Sequence, residues 1–177
     1  MSTPAEAQSS APAAPVSAVE QRLAELGITL PEVAAPVASY VPAVVSGSHV
    51  YTSGQLPFIN GKLEATGKVS AGTEGYADEP TVSPEDAQRF AAVCAVNALA
   101  AVKSVIGDLD RITRIVKVVG FVASDPSFTG QPAVINGASE LLGRVLGDAG
   151  QHARSAVGVA VLPLDSPVEV ELIAEFS

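Results

Sequence analysis

The spacing of apolar residues changes period several times along the chain, and each change predicts an element. Apolar and polar residues alternate in "SYVPAVVSGSHVYTSG", in "HARSAVGVAVLP" and in "VEVELIAEF", the period of strands with one buried face. The first stretch predicts a hairpin, Val41 to Val45 and His49 to Ser53, turning at Ser46-Gly47-Ser48, with Pro42 marking an edge strand. Asn60-Gly61 is a second tight-turn signal. A helical period runs through "SPEDAQRFAAVCAVNALAAVKSVIGDL", with Ser83 as N-cap, Pro84 at the first helical position, Glu85 and Asp86 in the first turn and Gly107 as the stop. It returns in "QPAVINGASELLGRVLG", where Val134, Ala138, Leu141, Leu142 and Val145 share a face. Between these helices "RITRIVKVVGFVAS" is a near-unbroken β-branched run, which predicts a strand buried on both faces. Upstream of the hairpin, residues 18 to 27 predict a short helix with Val19, Leu23 and Leu26 on one side and Gly27 as its end. Residues 1 to 17 are mostly Ala, Pro and Ser and predict a disordered tail, and residues 70 to 82 predict a polar loop.

The order is ββαβαββ over a single domain spanning residues 36 to 177. It predicts an α+β sandwich, a mixed sheet with two helices on one face. The other face is also apolar, because Val157, Val159 and Val161 point one way, with Gly158 and Ala160 between them. That face needs a cover, and a further subunit is the simplest one. Arg154, Ala156 and Gly158 share one side of their strand, and Glu169 and Glu171 share the side of theirs opposite Val168, Val170 and Leu172. With the apolar sides on the helices, the Arg154 and Glu169 sides are expected to look outward, toward a partner or a cleft.

Composition narrows the function. The 177 residues are 47% hydrophobic and 16% charged, with a net charge of −9 and no cluster of Lys or Arg, which argues against nucleic-acid binding. The single cysteine, Cys94, lies in an alanine-rich helical run and reads as a core residue; an internal disulfide is impossible, which suits the cytoplasm. One Cys and two scattered His make no structural metal site. No apolar stretch reads as membrane-spanning, and the N-terminus lacks the basic and apolar regions of a secretory signal. His49 and His152 each stand beside a strand start and read as solvated, Ser53 has no evident base to make it a nucleophile, and "TSGQ" is too short a glycine motif for phosphate.

The stretches "YTSGQLPF", "NGKLEATGKV", "DAQRFAAVCAVNALAAVKSVIGDLDRITRIVKVVGFVAS", "HARSAVGVAVLP" and "VEVELIAEF", in that order, resemble the YjgF/Rid family over roughly residues 36 to 176, with the tail and first helix outside the match. The likeness is to a longer subgroup of that family. It implies a chorismate-mutase-like fold and a homotrimer whose sheets face a central barrel, with clefts between adjacent subunits. It implies hydrolysis of 2-iminoacids and of 2-aminoacrylate to 2-oxoacids and ammonia, a form of metabolite damage control that needs no metal or cofactor. By position, Arg154 matches the arginine that grips the substrate carboxylate, and Glu169 the carboxylate that positions water. Tyr40, Ser53, Gly54 and Asn136 match residues lining the cleft. Two positions depart from the pattern: Ala156 stands where deaminases commonly carry Cys, and Ser139 replaces an aromatic, so both remove bulk.

The chemistry stands on its own terms. A planar guanidinium meets a carboxylate with two charge-assisted bonds, a glutamate orients or deprotonates water, and positioning supplies much of the rate. An Arg/Glu pair on neighbouring strands is the expected minimum. The alternative is a trimeric protein that binds a small carboxylate ligand in the same clefts without turning it over. A ribonuclease reading lacks a His pair and a basic groove.

Overall fold

Local sequence sets the helix ends. In the computed structural model, which describes residues 17–33, 39–72 and 81–177, Ser83 Oγ accepts the Asp86 amide at 3.0 Å and Pro84 opens the long helix α2, Pro84–Ile106, here numbered after a short α1, Ala18–Glu25. Gly107, at φ 84°, closes α2 in a conformation that other residues rarely adopt. Helix α3, Gln131–Leu146, carries its apolar face on Val134, Ile135, Ala138, Leu141, Leu142 and Val145, all buried. The strands are β1 Ala43–Ser46, β2 His49–Thr52, β3 Lys68–Val69, β4 Thr81–Val82, β5 Ile112–Ala123, β6 Ala153–Val159 and β7 Val168–Phe176. Asn60 and Gly61 both take positive φ, 51° and 77°, and join the Ile59–Lys62 bridge as the tight turn their sequence predicts. Residues 81 and 82, expected within a loop, form β4, which pairs in parallel with β3. Of the predicted tail, residues 1–16 lie outside the described residues, and Ser17 is the N-cap of α1, not tail.

The main sheet runs β1-β2-β7-β5-β6 and is mixed: β6 is parallel to β5, while the other pairs are antiparallel. The core is therefore the expected ββαβαββ sandwich with α2 and α3 on one face. Strands β6 and β7, which follow each other in sequence, are not neighbours, because β5 lies between them. The cause is α3: a helix connecting β5 to β6 returns the chain parallel to β5, so β6 becomes the outer edge and β7 must enter on β5's other side. Ile115, Val118 and Val122 of β5 and Val168, Val170, Leu172 and Ala174 of β7 are buried beneath the helices. The opposite face is only partly covered. Val119 and Phe121 of β5 are half-buried, where burial on both sides is expected from sequence, and Val44, Tyr51 and Val157 are 49%, 41% and 44% exposed.

Two packing details hold the frame. At Gly137, α3 approaches α2 so closely that a Cβ would overlap the Gln88 carbonyl oxygen. Asp110 clamps α1: its carboxylate accepts the Ser17 hydroxyl at 2.7 Å and the amides of Ala18 and Val19 at 2.7 and 2.8 Å. Asp110, in the turn before β5, therefore satisfies orphan donors at a helix N-terminus. Contrary to the expectation that no stretch could span a bilayer, α2 at 23 residues is long and apolar enough to do so by composition. In this fold its Phe90, Cys94, Ala98 and Leu99 are buried in the core.

Candidate functional site

Arg154 is the second residue of β6, on the side facing α3. It sits in register with Val118, whose side chain is buried under the helices. This corrects the expectation that its side of the strand looks away from the helices. The edge position explains how a charge fits there. Ala156 and Gly158 follow on the same side and are small, and α3 runs alongside with polar groups to meet the guanidinium. Arg154 Nη1 donates to Asn136 Oδ1 at 2.8 Å and to Ser139 Oγ at 3.1 Å, and Nη2 donates to the Pro132 carbonyl at 3.2 Å. Three of its five N–H groups are thus taken. Nε–H and one N–H on Nη2 have no acceptor among the described residues, and the side chain is only partly buried. The result is a fork held from behind with two donors free.

Behind this fork is a feature that sequence does not reveal. His152 is half-buried, not solvated: its Nε2 lies 3.0 Å from Ser139 Oγ and its Nδ1 lies 2.6 Å from the Gly150 carbonyl oxygen. The only available signal was its place two residues ahead of Arg154.

Glu169, the second residue of β7, faces the other side of the sheet, in register with Phe121. Its half-buried carboxylate lies directly over Gly54, where a Cβ would collide with Oε1. Gly54 therefore has no side chain because the Glu169 carboxylate occupies that space. Gln55 bridges to Val170 through two backbone bonds of 2.8 and 3.0 Å, which ties the Gly54 turn to β7. Ser53 Oγ donates to the Val41 carbonyl at 2.6 Å, which brings Tyr40, 47% exposed, to the same end of the hairpin. Burial, and then the neighbouring Glu171 carboxylate, push the Glu169 carboxyl above its ordinary range. A carboxylate in this setting holds a proton more readily than a surface glutamate. Cys94, buried against the Val168 carbonyl, has its thiol pushed well up by burial first and by Glu169 second, and is inert there.

The residues expected to act together thus fall into two groups. Arg154, Asn136 and Ala156 lie with Ser139 between β6 and α3. Tyr40, Ser53, Gly54 and Glu169 lie where β2 and its following turn meet β7. One chain separates the groups by β5 and by the thickness of the sheet, so they do not meet within it. No group of three or more His, Cys, Asp or Glu among the described residues is arranged to hold a metal ion.

Comparison with known proteins shows similarity along nearly the whole chain. A family profile described as "YjgF/chorismate mutase-like, putative endoribonuclease" matches residues 20–176, which brings most of α1 inside the match where sequence placed it outside. Protein TCP17 of Trypanosoma cruzi is 41% identical over 160 residues, covering 90% of this chain and 94% of that protein. Atu1372 of Agrobacterium tumefaciens, a crystal structure of unknown function, is 48% identical with a TM-score of 0.78, over 90% of this chain and 93% of that one. Escherichia coli TdcF, solved with bound serine, is 27% identical with a TM-score of 0.57, over 80% of this chain and 91% of that one.

Proposed function

The chain belongs to the YjgF/chorismate mutase-like family, and from that premise we propose that it hydrolyses small 2-imino and enamine acids to 2-oxoacids and ammonia. The observation that carries the reading is the state of Arg154. Three protein acceptors fix its guanidinium, and two N–H groups remain for a carboxylate. A ligand of that class fits a family in which TdcF was solved with serine, itself an amino acid.

The reaction needs only water as co-reactant. The substrate carboxylate docks on Nε and Nη2 of Arg154. Glu169 orients a water and takes its proton as the water oxygen bonds to the imine carbon. The C=N electron pair moves to nitrogen, which is protonated. The carbinolamine then collapses: its hydroxyl proton passes to nitrogen, the C–N bond breaks, and ammonia leaves as the 2-oxo group forms. A carboxyl raised above its ordinary range suits Glu169 to both taking and returning that proton.

Because the two groups of residues do not meet in one chain, the site requires two chains. We place Arg154 of one subunit opposite Glu169 of the next, in a homotrimer whose assembly covers the helix-free face bearing Val44, Tyr51 and Val157. The class of substrate and the single cysteine suit a cytoplasmic protein. A second reading, carboxylate binding without turnover, draws on Ala156 and Ser139, which leave the cleft without a thiol or an aromatic wall. An RNA-cleaving activity finds no support in a net charge of −9.

The test generates a panel of 2-iminoacids with an amino-acid oxidase and traps the surviving imine with semicarbazide. The proposal expects faster imine loss with wild type and none above background with Arg154→Ala. No acceleration across small, branched and aromatic imines, together with a carboxylate that raises the melting temperature, would favour the binding reading.

A further inference from the structure

Arg154 is held partly through a chain of hydrogen bonds that can run in only one direction. The Gly150 carbonyl can only accept, so His152 Nδ1, 2.6 Å away, carries a hydrogen. In the neutral ring Nε2 is then an acceptor. Ser139 Oγ, 3.0 Å from it, donates there, and this leaves its lone pairs to accept from Arg154 Nη1 at 3.1 Å. The order Arg154 to Ser139 to His152 to Gly150 is consistent at every step. A proton added at Nε2 reverses the middle step. The imidazolium must donate to Ser139 Oγ, the serine hydrogen loses its acceptor, and two cations face each other across one oxygen.

We propose that Ser139 and His152 are positioning residues for Arg154, which fix its guanidinium and tie its grip on a substrate carboxylate to a neutral His152. The inference rests on the reading of Arg154 as the carboxylate-binding group. It also gives a use for Ser139, whose hydroxyl has no other partner among the described residues. The charged groups on the elements around His152 are Arg154 on β6, Glu140 and Arg144 on α3, Asp148 in the turn after α3, and Arg114 and Lys117 on β5. Lys117 Nζ is engaged with Ser155 at 2.9 Å. Among the described residues none of these makes a hydrogen bond or ion pair with the imidazole.

The test measures kcat and KM for one 2-iminoacid between about pH 5.5 and pH 8, the range in which histidine changes charge. Wild type, Ser139→Ala, Ser139→Thr, His152→Gln and Arg154→Ala are compared. Binding of 2-oxobutanoate is titrated in parallel as a carboxylate probe. Wild-type KM is expected to rise toward the acid end, separately from any fall in kcat there as the Glu169 carboxylate gains a proton. Ser139→Ala is expected to raise KM about tenfold at pH 8, the size of one hydrogen bond to a charged group, and Ser139→Thr to restore most of it. His152→Gln, which cannot titrate, is expected to flatten the acid rise. Active Ser139→Ala and His152→Gln enzymes with the wild-type KM profile, beside an inactive Arg154→Ala, would overturn the inference and leave the proposed function standing. A wild type that neither turns over imines nor binds 2-oxobutanoate through Arg154 would overturn both.

Discussion

Gly54→Ala separates the catalytic geometry from the fold. The added methyl would enter the space now held by Glu169 Oε1, and its two next contacts are the Cδ and Cγ of the same side chain. The three nearest obstacles all belong to that one flexible side chain, so Glu169 can yield by turning its carboxylate away. An off-rotamer side chain costs on the order of 0.5–1.5 kcal/mol, which lowers the melting temperature of a chain this size by about 2–4 °C. Activity answers to a different scale. A catalytic group displaced by about 1 Å loses roughly two orders of magnitude in rate. The expected result is a well-folded variant, a few degrees less stable, with kcat down about a hundredfold and KM, set by Arg154, little changed. Calorimetry and the imine-trapping assay on the same preparation decide it. Full kcat in the Gly54→Ala variant would refute the role given to Glu169, and a collapse in melting temperature would refute the packing argument.

Other outcomes follow from the same geometry. Arg154→Lys keeps the charge but not the fork or its three acceptors, and is expected to lower kcat/KM by about two orders of magnitude without loss of assembly. Glu169→Gln is expected to abolish turnover yet raise the melting temperature at pH 7: a carboxyl raised in the fold favours folding when protonated and loses that contribution as pH climbs through its raised value, so the gap to wild type closes below about pH 4. Asp110→Ala removes the clamp on α1 and is expected to cost about 1 kcal/mol, read as a lower melting temperature at pH 7. The Val19 amide above all, with Ser17, Ala18 and Arg22, holds the Asp110 carboxyl below its ordinary range, so its contribution is present above that range and fades as pH falls through the depressed value. The difference between Asp110→Ala and wild type should therefore shrink in acid.

Much of this fold was legible because local signals and burial agree. Ser83 with Pro84, Gly107, and Asn60-Gly61 each sit where their backbone chemistry requires, and the apolar period of α3 matches its buried face. Sheet order was not legible. Alternation gives the two sides of β6 and of β7, but it does not say that β5 lies between them, and so it could not show that Arg154 and Glu169 face opposite ways. The side of an edge strand is equally hidden: register with Val118 turns Arg154 toward the helices, where Asn136, Ser139 and Pro132 supply acceptors. His152 reads as solvated in the sequence because its partners, a serine 13 residues earlier and a carbonyl in the turn after α3, are brought near by tertiary structure alone. The role of Asp110 is hidden for the same reason, since it caps a helix 92 residues upstream.

The central claim is that one chain holds two halves of a site that only a neighbouring copy completes. Arg154→Ala and Glu169→Gln subunits, each inactive alone, should be unfolded together, refolded as a mixture and assayed for imine hydrolysis. If the site joins Arg154 of one subunit to Glu169 of the next, about a quarter of the interfaces in an equal random mixture carry both intact residues, and activity should return to about a quarter of wild type. A mixture as inactive as its two components, in trimers shown to be mixed, would contradict the account.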